Sequence, residues 1–448
     1  MRKSAAALAV LACILAGVAA GITGCAEQCV TETETTAETI EAIETLDPVE
    51  TEETSISVFP DVPADAGIEI QPTISLTREI TAQTIAPADI TDEEAAAWAQ
   101  FALDLAKQQD GQFLISPVSI ISALAMTSNG ANGETLAQTE AVLGLDRDTL
   151  NRTVHGYMAK NGDKISLANS VWFRCWGFEP KREFLRTAVD FYGADLFTAP
   201  FDNNTLNDVN SRISEKTKGM IPQMLTEIDP DTVMYLINAV YFEKQWRELY
   251  ESVSDGQFTA ADGEIQYVNT LRSIETAYFE DEHAVGFAKP YMWCDYSFIA
   301  LLPGEGITPA EYLQTLTGDK LQKMLTNPQN LAVQTETPGF KTEYEADLVE
   351  ALTALGMTDI FDSIKADLAG LGTASGNLYV SDVKHKAVME LDENGTKAAA
   401  ATIVGVVEEC VVVYPDPVKT VILDHPFVYI IADSSGIPLF IGTLESVT

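Results

Sequence analysis

The segment Glu393-Asn394-Gly395-Thr396-Lys397-Ala398-Ala399-Ala400-Ala401-Thr402 sets the tightest condition on any fold for this chain. Four alanines after a glycine favour a helix, because alanine has the highest helix propensity. The residues that follow, Thr402, Ile403, Val404, Gly405, Val406 and Val407, are β-branched or glycine and suit an extended chain. None of the side chains from Gly395 to Ala401 is large and apolar enough to build a core. A helix-prone run joined to a β-prone one is coherent if the segment must be able to become a strand.

The 448 residues are 46% hydrophobic and 21% charged, which fits a globular body of one large or two ordinary domains. The formal net charge is -40. Residues 26–77 hold thirteen Asp or Glu and no Lys or Arg, and the remainder is acidic too. Nucleic acid is therefore excluded as a natural partner, since phosphate neutralisation needs Lys and Arg.

The first 24 residues read as an export signal: Arg2-Lys3, an apolar run from Ala5 to Ile22, then Ile22-Thr23-Gly24-Cys25. The last four resemble a bacterial lipobox, in which Cys25 would become the lipidated N-terminus. An uncleaved membrane anchor is the competing reading. Both place the body outside the cytoplasm, held to a membrane. From Cys25 to residue 89 the chain is dominated by Thr, Glu, Pro and Ala, and it reads as a disordered tether. Such a coil would span about 40 Å. Cys29, Cys175, Cys294 and Cys410 are far apart, with no C-x-x-C pair, so no zinc or redox motif is indicated. A Cys175–Cys294 disulfide stays open.

The body is predicted to span 90–448. Thr91-Asp92-Glu93-Glu94 is a helix start before Ala95 to Lys107, and a buried helix is predicted from Ser116-Pro117 to Met126. Strand patterns run over Lys164 to Arg174, Thr232 to Phe242, Tyr296 to Leu302, Leu378 to Leu391 and Phe427 to Ile431. Helical patterns cover Asp208 to Thr217 and Tyr344 to Leu355. Strands and helices mix without βαβ alternation, which predicts an α+β fold. The chain lacks G-x-S-x-G, H-E-x-x-H, G-x-x-x-x-G-K-[ST] and G-x-G-x-x-G, so a hydrolase or nucleotide-binding enzyme has no motif to rest on. Among four histidines, His385 shares a strand face with Val383 and Ala387, and it is predicted to be a buried, hydrogen-bonded core residue.

These landmarks together resemble the serpin family. Val421-Ile422-Leu423-Asp424-His425-Pro426-Phe427-Val428-Tyr429-Ile430-Ile431 is similar to the family signature around its Pro-Phe pair. Phe440-Ile441-Gly442 resembles its last strand, and Ser116-Pro117-Val118-Ser119-Ile120 its buried second helix. Leu236-Ile237-Asn238-Ala239-Val240-Tyr241-Phe242 with Trp246 resembles a strand of its main sheet. Gln112 departs from the family's usual asparagine, and an altered polar network beneath the sheet is expected.

The resemblance implies a three-sheet α+β fold with eight or nine helices and an exposed reactive loop. It implies a monomeric suicide inhibitor of extracellular serine proteases, without cofactor or metal, in which the cleaved loop inserts into the main sheet and traps the acyl-enzyme. Residues 393–402 match the hinge, with Glu393 at its acidic position. Ser116, Ser119, Asn238 and His385 match the polar cluster that parts for the strand, and Trp246 packs where insertion begins. With strand alternation, Thr396, Ala398, Ala400 and Thr402 face inward and Lys397 outward. The usual loop length puts the scissile bond at Glu409-Cys410, with Val407, Glu408, Val411 and Val412 as alternatives. Glutamate suits a glutamyl endopeptidase, and the valines suit elastase-like or subtilisin-like enzymes. A non-inhibitory member that is cleaved as a plain substrate is the alternative.

Overall fold

The computed structural model describes residues 72–78, 80–162, 164–229, 232–293, 295–397 and 419–447. The signal, Cys25, Cys294, Ala398 to Thr402 and the whole candidate scissile region, Val407 to Val412, lie outside the described residues. Among those described, nine α-helices surround sheets of eight, nine and two strands. None of these helices is long and apolar enough to cross a membrane.

Capping chemistry sets the first helix, Asp92–Ala106. Thr91 accepts from the Glu94 N–H, and Glu94 accepts from the Thr91 N–H, closing a capping box. The second helix, Pro117–Ser128, is buried over its full length, so its apolar surface needs no polar face. It packs beneath the strand Met234–Tyr241.

In the eight-stranded sheet, Ile74–Ser75, Asp195–Ala199, Ser166–Arg174, Met234–Tyr241 and Lys384–Leu391 lie side by side in that order. Lys384–Leu391 buries His385, Ala387, Met389 and Leu391 in strict alternation, as predicted for His385. One edge of it pairs along its whole length with Phe340–Asp347. The nine-stranded sheet runs through Gln329–Pro338, Ile265–Glu280, Ala284–Pro290, Tyr296–Pro303, Phe427–Asp433 and Pro438–Leu444. Its last two strands are entirely buried.

Two expectations are corrected. The tether drawn to residue 89 is too long. Ile74 pairs with Thr198, the Leu76 N–H donates to Leu196 O at 2.8 Å, and the Gln83 N–H donates to Asp190 Oδ1 at 2.8 Å. The acidic run ends before this piece, and Leu76 and Ile80 supply the apolar contacts that join it to the core. The helix read from Tyr344 to Leu355 is a strand as far as Asp347, and only Val349–Ala354 is helical. There the full eight-residue ladder with Lys384–Leu391 overrides local helix propensity.

Candidate functional site

The edge of Lys384–Leu391 away from Phe340–Asp347 carries the geometry of interest. It meets Met234–Tyr241 at only two parallel pairs, His385 with Asn238 and Lys386 with Ala239. Beyond them, among the described residues, the two strands part. At the far end a short strand, Gly395–Lys397, lies along the same edge of Lys384–Leu391. On one side it pairs with Leu391 and Glu390, on the other with Lys244–Gln245.

A tight turn delivers this strand. The Asp392 N–H donates to Gly395 O at 3.0 Å, and Asp392 Oδ1 accepts from the N–H groups of Asn394 (2.8 Å) and Gly395 (3.1 Å). Gly395 is needed for close approach, because a Cβ there would lie 2.2 Å from Lys244 O. Glu393 and Asn394 are exposed, with the Asn394 amide donating to Glu393 at 3.2 Å. Thr396 faces inward, 2% exposed, and its hydroxyl shares a 2.5 Å hydrogen bond with the Tyr291 hydroxyl. Trp246 is fully buried beneath the turn. Its backbone N–H donates to Asn394 O at 3.1 Å and its indole N–H to Asp392 O at 2.9 Å. The Trp246 ring stacks on Tyr291, 4.5 Å between centroids.

The polar cluster lies under the two-pair seam. His385 is 2% exposed, and its Nε2 accepts from the Ser116 backbone N–H at 3.3 Å. Ser116 and Ser119 are fully buried, and neither hydroxyl has a partner among the described residues. Asn238 stands directly opposite His385. Gln112 lies elsewhere: its Oε1 accepts from the Glu445 and Ser446 N–H groups, both at 2.9 Å, so it pins the C-terminal segment rather than altering this cluster.

The same chain is recovered from comparison with known proteins. The profile of the family described as Serpin (serine protease inhibitor) matches residues 96–447. The chain is a serpin. It is 33% identical over 390 residues to a leukocyte elastase inhibitor from Bos taurus, covering 79% of this chain and all of that one. Among solved structures it is similar to the thermophilic serpin tengpin in its native state, at 42% identity and a TM-score of 0.78, over 84% of this chain and 100% of that one. Tengpin in its latent state matches at 40% identity and a TM-score of 0.71, over 81% of this chain and 100% of that one. The family is one of protease inhibitors rather than enzymes.

Thr396, Trp246 and His385, singled out from the sequence, are all buried, and two residues that hold the 392–395 turn and Thr396 were not among the expectations. Asp392 was legible as the start of an Asp-x-x-Gly turn. Tyr291, just past the strand Ala284–Pro290, meets Thr396 across 105 residues of sequence, and no local pattern signals that.

Burial lowers the His385 pKa to about 4, and the Leu114 carbonyl opposes the shift only in part. The folded value lies below the unfolded one, so the neutral ring stabilises the fold above about pH 6.5. That contribution is lost as pH falls from about 6.5 towards 4 and amounts to about 3 kcal/mol. The urea midpoint of the parent is expected to fall more steeply between pH 7 and 4.5 than that of His385→Gln. Equal pH dependence would refute the assignment.

Proposed function

We propose that this serpin is a suicide inhibitor of extracellular serine proteases. The carrying observation is the agreement of two registers. Continuing Gly395–Lys397 along its pairing with Lys384–Leu391 would bring Thr402 opposite His385. Continuing it along its pairing with Lys244–Gln245 would bring Thr402 opposite Asn238. His385 and Asn238 are already each other's partners, so an inserted strand needs no register slip on either side. Ala398 to Ala401 would fill the parted stretch, and Thr402 would replace the seam above Ser116. Small side chains at these positions keep the steric cost low.

In the proposed reaction, the protease serine hydroxyl attacks a loop carbonyl. The peptide C–N bond breaks, the amine leaves with a proton, and an ester joins the two proteins. Water would normally hydrolyse that ester. Insertion of the freed strand drags the protease away before hydrolysis, drawing on the metastability of the uninserted sheet.

The printed name of the bovine relative supports an elastase-like target. The Glu409-Cys410 bond and its valine neighbours keep glutamyl endopeptidases and subtilisin-like enzymes in the target class. The signal-like N-terminus supports display as a lipoprotein anchored through Cys25 on a bacterial surface, with the body acting as a monomer. Incubation with elastase, subtilisin and a glutamyl endopeptidase is expected to give a complex stable to denaturant with at least one of them. The mass of the released C-terminal peptide then identifies the bond. Complete cleavage without any covalent complex would instead mark a substrate-type serpin.

A further inference from the structure

Beneath the hinge seat lies an ion pair that the trapping scheme does not itself require. The Lys289 side chain is 1% exposed and donates to Glu275 Oε1 at 2.7 Å, and the Glu275 side chain is 9% exposed. The same oxygen accepts from Ser273 Oγ at 2.6 Å. An ammonium carries three N–H donors. No other oxygen among the described residues accepts from Lys289. Its Nζ sits instead 4.3 Å from the Tyr250 ring centroid and 5.7 Å from that of Trp246.

Trp246 holds the turn through two donated hydrogen bonds, one from its backbone N–H to Asn394 O and one from its indole N–H to Asp392 O. An apolar pair could fill the space of Lys289 and Glu275 without desolvating two charges, so stability alone does not account for the pair. A cation fixed by its counterion and facing two aromatic rings restricts how those rings can turn.

We infer that Lys289, anchored by Glu275, is a positioning residue for the hinge: it fixes Trp246, and Trp246 fixes the turn from which insertion starts. This rests on the inhibitor reading above. A fixed origin lets the strand zip in before the acyl-enzyme hydrolyses. With a loose origin, the same cleavage ends more often in release.

The test is the full chain carrying Lys289→Met/Glu275→Gln, which removes both charges at similar volume. Lys289→Leu/Glu275→Met repeats it with different packing in case the first does not fold. Hydrogen exchange at the Trp246 and Asp392 amides is expected to accelerate about fivefold or more with little change in global melting. Molecules of serpin consumed per protease trapped should rise about threefold or more, while the association rate constant stays within about twofold of the parent. Unchanged exchange overturns the positioning role. Faster exchange with unchanged consumption overturns its link to trapping. The exchange arm needs no protease, so it decides the positioning role even if the parent traps none.

Discussion

Replacing Thr396 with arginine is expected to leave the reactive loop cleavable while abolishing covalent trapping. Thr396 is buried in the hinge strand against Tyr291, between Leu391 on one side and Lys244 on the other. An arginine on that face would bury a guanidinium with no anion assigned to it, which costs several kcal/mol. The penalty applies in the seated hinge and in the inserted strand, but not in a loop lifted into solvent. If about 2 kcal/mol of it is felt in the transition state for insertion, the step slows about 30-fold. Hydrolysis of the ester is unaffected, so the partition shifts from trapped complex to released, cleaved serpin. Quantifying complex and cleaved bands against a fixed amount of protease checks this. Trapping at the parent's efficiency would remove the basis for assigning Thr396 to the inserting face.

Much of this arrangement was legible in the sequence because it is written in short-range patterns. Alternation along Lys384–Leu391 put His385 on the core face, and the capping residues marked the helix at Asp92. The hinge was expected from its glycine and small side chains, and its alanines lie outside the described residues. What could not be read depends on partners distant in the chain. Tyr344 falls in a run with good helix formers, and only the ladder contributed by Lys384–Leu391 makes it a strand. Lys289 looks like a surface residue in sequence, and only its placement against Glu275, Tyr250 and Trp246 makes it a buried cation. Ile74–Ser75 is two residues long at the end of an acidic segment, and it becomes a strand by docking on Asp195–Ala199. Local propensity and periodicity report neighbours three or four residues apart, whereas these features are decided by pairings across the sheet.

Cleavage within residues 403–413 is expected to stabilise the body, raising its melting temperature by more than about 10 °C. An ordinary nick in a surface loop does the opposite, since it frees chain ends and adds no contact. Here the uncut sheet joins Met234–Tyr241 and Lys384–Leu391 directly at two pairs among the described residues. A strand inserted in the register that both edges share would satisfy donors and acceptors on both sides and bury alternate side chains above the Pro117–Ser128 helix. For a folded body of roughly 370 residues, a 10 °C rise corresponds to about 8 kcal/mol. At a net worth of about 1 kcal/mol per hydrogen bond, a fraction of the new ladder supplies that. Calorimetry before and after limited proteolysis measures the shift. The Thr396→Arg variant links the two expectations: it should be cut at the same bond yet gain little in melting temperature, because its hinge does not pass between the strands. A variant that gains as much as the parent would show that the buried face of Thr396 does not gate insertion. A parent that melts lower after cleavage would show that the parted edges do not accept the loop at all.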